Sequence, residues 1–312
     1  MKRLLTGILI FFALNSCVCV SAAQNRVILT DFRNINLFDA FYAYDKAENE
    51  YKFIKIDKKA YKNLSKENKE IYKNLLKSSS LYESTKGAMP EFLKQSKRQR
   101  AFQMNNYNLP AANALVGDFQ KEKKYSTALY YALKIKKYDK KNKYSDMDYK
   151  IGELYYLIED FEGAIPYLEK NIKSSKPVFK KDSYIMLADA YYQQAQKLNQ
   201  PYEYYKQALI NADKALNLSS REIKALEIKY DICFRLKSYH SAMNTAAALM
   251  KAEPKSADYA FKYANCRGAL KDKKTELIYL KKAKKLALEG NENQDFLKEI
   301  SSRIEKFGTG AN

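Results

Sequence analysis

The run IGELYYLIEDFEGAIPYLEKNI, residues 151–172, decides the fold. At helical spacing Ile151, Gly152 and Tyr155 share one face, and after a break at Glu159-Asp160 the residues Phe161, Ala164 and Leu168 share another. Two short amphipathic helices packed against each other account for the pattern. Gly152 and Ala164 then stand where the two backbones approach most closely.

The pair recurs along the chain. Upstream, Tyr125, Ala128 and Ala132 repeat the second helix; downstream, Leu187-Ala188 and Tyr191 repeat the first, followed by Ala208, Ala212 and Ala215-Leu216. Tyr239, Ala242, Ala246 and the stop at Pro254 supply another second helix, and Leu280 with Ala283 a last one. These runs resemble the tetratricopeptide repeat, a helix-turn-helix unit of about 34 residues. The resemblance implies a mostly α fold, a solenoid of stacked hairpins wound as a right-handed superhelix. Aligned on the small residue of the second helix, five units start near Leu109, Ser145, Lys181, Ile223 and Ala257.

Three units depart from the pattern. The third carries about eight extra residues around Gln196 to Tyr202, the fourth has Tyr230 where a small residue is expected, and the fifth has Glu276 in place of alanine. Ser219 with Glu222 three residues on reads as a capping box for the fourth unit. Residues 291–312 read as a terminal helix and tail that cover the open end of the array. Residues 24–108 are less regular. Phe38, Ala40, Tyr42 and Tyr44 alternate, as do residues 53–56, with a polar Asp45 to Glu50 between them. A small β-hairpin and a degenerate helical repeat both fit. Helices are expected over Lys58 to Leu76, with Ser65 as a break or cap, and from Pro90 toward Phe102.

Residues 1–23 have the build of an export leader: Lys2 and Arg3, an apolar run from Leu4 to Leu14, and Ser21-Ala22-Ala23 before the expected cut. Leu14-Asn15-Ser16-Cys17 also resembles a lipobox, which would leave a lipid on Cys17. The expected location is the periplasm or cell envelope. Without the leader, 54 basic residues face 36 acidic ones, a net charge of about +18. That field favours anionic partners, including weak contact with an anionic membrane or cell-wall polymer. Abundant Lys, Asn, Tyr and Ile without Trp is equally the usage of an AT-rich genome. Arg, the residue suited to phosphate and base recognition, is scarce, so no nucleic-acid partner is expected.

Chemistry is sparse. His240 is the one histidine, and no phosphate loop, nucleophile elbow or metal-binding cysteine cluster is present. No catalytic residue, metal or cofactor is assigned, and the reading is a non-catalytic scaffold. A helical hydrolase with two carboxylates needs no local motif, so an envelope-polymer binding or hydrolysing protein stands as the alternative. Cys233 and Cys266 lie on the first helices of successive units, whose axes stack near 10 Å, too far apart for an easy bridge.

Under the resemblance, positions 9 and 12 of each unit face the inner groove. Position 9 is Glu153, Asp189, Asp231 and Asn265; position 12 is Tyr156, Tyr192 and Phe234. The implied partner is a protein or peptide segment with basic residues and apolar anchors, held in the groove of an assembly scaffold. Protein purified from its native host should begin near Gln24 or at a lipidated Cys17. An intact mass that retains Met1 to Ala23 in a soluble cytoplasmic fraction would remove the export reading.

Overall fold

The computed structural model describes residues 37–174, 177–198, 201–290 and 292–308. The expected export leader, with Cys17, lies outside the described residues. The chain forms two compact units, one up to Leu115 and one from Val116 onward.

The first unit opens with α1 (Leu37–Phe41), then β1 (Tyr42–Asp45) and β2 (Glu50–Phe53). The strands pair antiparallel with Tyr42 opposite Phe53 and Asp45 opposite Glu50, so the hairpin is the reading that holds. It is shorter than the alternation implies. Phe38 and Ala40 belong to α1, where both Phe38 and Phe41 are buried among Tyr42, Tyr51, Phe53 and Tyr72. Aromatic packing thus overrides the two-residue period there. The strand turn uses Asn49 in the left-handed region and the Asp45 carboxylate, which accepts from the Ala47 amide at 2.9 Å. Next come α2 (Lys58–Lys62), α3 (Lys66–Glu83) and α4 (Glu91–Met104). Ser65 caps α3 by accepting from the Asn68 amide at 3.1 Å, and Pro90 precedes α4. Buried Asn105 donates to Tyr42 at 2.8 Å, and Asn108 to Ser78 Oγ at 3.0 Å. Each buried amide therefore finds a partner in the unit.

The helical array is α5 (Leu109–Lys121), α6 (Tyr125–Tyr138), α7 (Met147–Leu157), α8 (Phe161–Lys173), α9 (Lys180–Gln196), α10 (Tyr202–Leu218), α11 (Ile223–Arg235), α12 (Tyr239–Ala252), α13 (Ala257–Ala269), α14 (Lys273–Glu289) and α15 (Gln294–Gly308). From α6 on, sequence neighbours pack on each other, and α9 also packs on α7 and α11. The five unit starts fall at the starts of α5, α7, α9, α11 and α13, or within two residues of them. The extra residues of the third unit lengthen α9 and α10 to 17 residues each. The expected capping box is absent. α11 begins at Ile223, so Glu222 is itself the N-cap residue, and its carboxylate takes Lys181 Nζ at 2.8 Å.

Four hairpins turn in the same way. Lys123, Glu159, Lys237 and Lys271 have φ between 56° and 61°. The next residue's amide reaches back five residues: Lys124 to Phe119, Asp160 to Tyr155, Ser238 to Cys233 and Asp272 to Arg267, at 2.8–2.9 Å. A second bond closes each turn, as from Glu159 N to Tyr156 O at 3.0 Å. This is a Schellman ending, and it satisfies carbonyls the first helix would leave bare. The residue after the left-handed one is already the N-cap of the second helix. Asp160 and Asp272 cap it by accepting from Gly163 and Thr275 amides at 2.9 and 3.1 Å.

The tight turn forces close packing. Ala128, Ala164, Ala208 and Ala242 are fully buried at the same place in successive second helices. A Cβ on Gly152 would lie 2.7 Å from Leu168 Cγ and 3.2 Å from the Leu168 backbone nitrogen. Cys233 and Cys266 are buried and unbridged, and burial pushes the Cys266 thiol up to about 11. Gly152→Val should overpack the α7–α8 contact and lower stability by about 2 kcal/mol. Urea denaturation followed by helicity checks this, and an unchanged midpoint would mean the helices separate freely.

Candidate functional site

The first helices α7, α9, α11 and α13 carry the residues picked out at positions 9 and 12. The structure brings the two rows together. Position 12 of one unit donates to position 9 of the next: Gln120 Nε2 to Glu153 at 3.1 Å, and Tyr156 hydroxyl to Asp189 at 2.5 Å. Glu153 also accepts from Tyr149 at 3.2 Å. Asp189, 4% exposed, adds Gln193 at 3.2 Å and Lys224 Nζ at 3.2 Å. Asn265 accepts from Arg303 on α15.

Asp231 differs. Among the described residues it makes no hydrogen bond and no ion pair within 4 Å. Burial raises its pKa; Lys262 and Arg235 act against that rise, while Glu227 and Asp258 add to it. Lys262 is engaged by Asp258 at 2.6 Å and lies over the Tyr230 and Tyr259 rings. The aromatic row flanks this carboxylate. Tyr192 is buried and packs on Tyr205, with centroids 6.1 Å apart. Phe234 stacks on Tyr230 at 5.7 Å and meets Tyr239 edge-on at 5.4 Å. The tyrosine-to-next-unit bond ends before this point, since Tyr192 pairs with Arg235 rather than Asp231, and Phe234 has no hydroxyl to offer Asn265.

A wider set of tyrosine–carboxylate bonds escaped the sequence reading. Tyr259 donates to Glu227 at 2.9 Å and Tyr191 to Glu169 at 2.7 Å. The available signal was the spacing: Gln120–Glu153, Tyr156–Asp189 and Glu227–Tyr259 are 33, 33 and 32 residues apart. Glu276 is the other missed feature. It is 5% exposed, it pairs with Arg303, and Gly268 clears its space, since a Cβ there would lie 2.7 Å from the carboxyl. Arg303 also lies 5.2 Å from the centre of the Phe261 ring. No group of three His, Cys, Asp or Glu side chains suited to a metal ion occurs among the described residues.

No family model and no curated protein matches the chain. Solved structures do. YrrB, a tetratricopeptide protein with an unusual peptide-binding site, is 17% identical, with 61% of this chain and 91% of that one covered, at a TM-score of 0.49. A tetratricopeptide protein from Parabacteroides merdae is 12% identical over 78% and 94% of the two chains, at 0.44. A thermophilic tetratricopeptide protein from Thermus thermophilus is 14% identical over 64% and 97%, at 0.39. The tetratricopeptide-like fold rests on the helix pairing, period and turns described above.

Burial, and after it the bound carboxylate, raises the pKa of the Tyr156, Tyr191 and Tyr259 hydroxyls well above the ordinary tyrosine value. The folded state therefore holds protons the unfolded chain releases near pH 10. Stability from this source is full below about pH 10 and falls as pH rises further. Tyrosinate absorbance should appear together with loss of helicity in an alkaline titration. Tyrosinate growing fully while helicity persists would show that these hydroxyls are not tied to the fold.

Proposed function

We propose that this protein is an exported, non-catalytic scaffold of the cell envelope that binds a protein segment along its first-helix face. The segment carries Lys or Arg together with apolar or aromatic anchors. Asp231 is the observation that carries the reading. Glu153, Asp189 and Asn265 in the same row have donors inside the fold, whereas Asp231 is left with its charge and without a hydrogen bond. Phe234, partly exposed in the same helix, supplies a ring for an alkyl stem or a guanidinium. An incoming ammonium or guanidinium would gain a charge-assisted bond there and relieve the repulsion from Glu227 and Asp258. The leader of residues 1–23 supports export, and the envelope role follows from export joined to a binding face.

Asp189 is part of the framework, because removing its charge would strand Tyr156 and Lys224. Asp231→Asn is the cleaner probe. Peptides pairing Lys or Arg with aromatic residues, titrated by fluorescence anisotropy, should bind the wild type and lose about fivefold or more with Asp231→Asn. Asp189→Asn should instead lower the melting temperature. Equal peptide binding by wild type and a fully helical Asp231→Asn protein would move the site off this face.

A further inference from the structure

The outer face of α14 carries a row that the protein-segment reading does not use. Lys274, Ile278, Lys281, Lys285 and Leu288 follow one another at intervals of four and three residues, which places them on one side of the helix. Lys282 stands exposed beside the row. Ile278 is 56% and Leu288 58% exposed, although a solvated helix side has no use for large aliphatic residues. They lie about 15 Å apart along the axis, with lysines before, between and beside them. Near the C-terminal end of the row, Lys281, Lys284, Lys285, Leu288 and Glu289 line a cleft against Ile304 of α15, with a volume of about 480 Å³. Glu289 is the acid of this lining, and it sits 3.8 Å from Lys285 Nζ.

We propose that this side of α14 is a peripheral docking surface for an anionic lipid bilayer. The argument is charge complementarity joined to aliphatic exposure. Lysines on phosphate headgroups give attraction that salt screens, worth about a factor of five per residue near the surface. Ile278 and Leu288 then enter the boundary between headgroups and acyl chains, as an amphipathic helix lying in the interface does. A face that only repelled other copies of itself in solution would need the lysines alone. A soluble anionic polymer would satisfy the lysines and leave both aliphatic side chains in water. Among the described residues no helix is long and apolar enough to cross a membrane, and docking at the surface requires none.

Cosedimentation tests this with vesicles of phosphatidylcholine alone and of phosphatidylcholine with a third phosphatidylglycerol, at low and physiological salt. The wild type should pellet with the anionic vesicles, less so at higher salt, and stay in solution with the neutral ones. Lys281→Gln with Lys285→Gln should weaken binding tenfold or more. Ile278→Ser with Leu288→Ser should weaken it severalfold while leaving its salt dependence in place. All four positions are exposed, so helicity should match the wild type. Lys134→Gln with Lys137→Gln on α6 is the control and should change binding by less than threefold. Three results would overturn the proposal: no pelleting with anionic vesicles at low salt, an equal loss in the α6 control, or binding insensitive to Ile278 and Leu288. The last of these, with capture of soluble polyphosphate by the same lysines, would make the face a polymer site.

Discussion

The two-bond turn between paired helices is the constraint on which the array depends. A left-handed residue followed directly by the N-cap of the second helix leaves little slack, so the helices must lie against each other at once. That explains both sides of the contact: alanine at Ala128, Ala164 and Ala242, and glycine at Gly152. The turns accept Lys or Glu in a conformation that disfavours side chains by about 1–2 kcal/mol. The two bonds of each turn and the buried helix contact offset that cost. With the pair fixed, first helices recur at nearly constant spacing, and a side chain at position 12 of one unit meets position 9 of the next.

The fifth unit shows what happens when the rule is broken. Glu276 occupies the crowded place that alanine holds elsewhere, and an unpaired carboxylate buried there would cost several kcal/mol. Two further changes make it tolerable. Gly268 vacates volume on α13, and Arg303 arrives from α15 to pair with Glu276, donate to Asn265 and lie on Phe261. Ile300 of the same helix is fully buried, and Phe296, Leu297, Ile304 and Phe307 pack with the core of the last hairpin. The ion pair gives α15 one register, and the apolar contacts supply the attraction. An apparent flaw in the repeat is the socket for the helix that closes it.

Much of this was legible because repetition averages out local noise. Small residues at fixed offsets located the helical pairs, and Pro254 and Pro90 marked boundaries that the structure keeps. What failed was local. Phe38 and Ala40 alternate like a strand yet sit in α1, because two phenylalanines on one helical side fill the aromatic cluster. Ser219 and Glu222 have capping-box spacing, but the helix starts one residue after Glu222, whose charge is claimed by Lys181, 41 residues away. For the candidate site, the rows were readable and their partners were not. Glu153 and Asp189 each take a donor from 33 residues upstream and Asn265 from 38 downstream, so the local sequence shows only the partners four residues away, Tyr149 and Gln193.

The choice of donor matters for what the first-helix face presents. A lysine paired to an acid cancels its charge, as Lys136 does at buried Asp148. A tyrosine hydroxyl or glutamine amide satisfies the carboxylate's hydrogen-bonding capacity and leaves the charge in place. Glu153 and Glu227 are held that way, by Gln120 and Tyr149 and by Tyr259, and Asp189 has only one lysine beside its two neutral donors. At Asp231 burial raises the pKa, Lys262 and Arg235 act against that rise, and Glu227 and Asp258 add to it. On the proposed reading, a cation from outside the fold supplies the hydrogen-bond donor that Asp231 lacks within it.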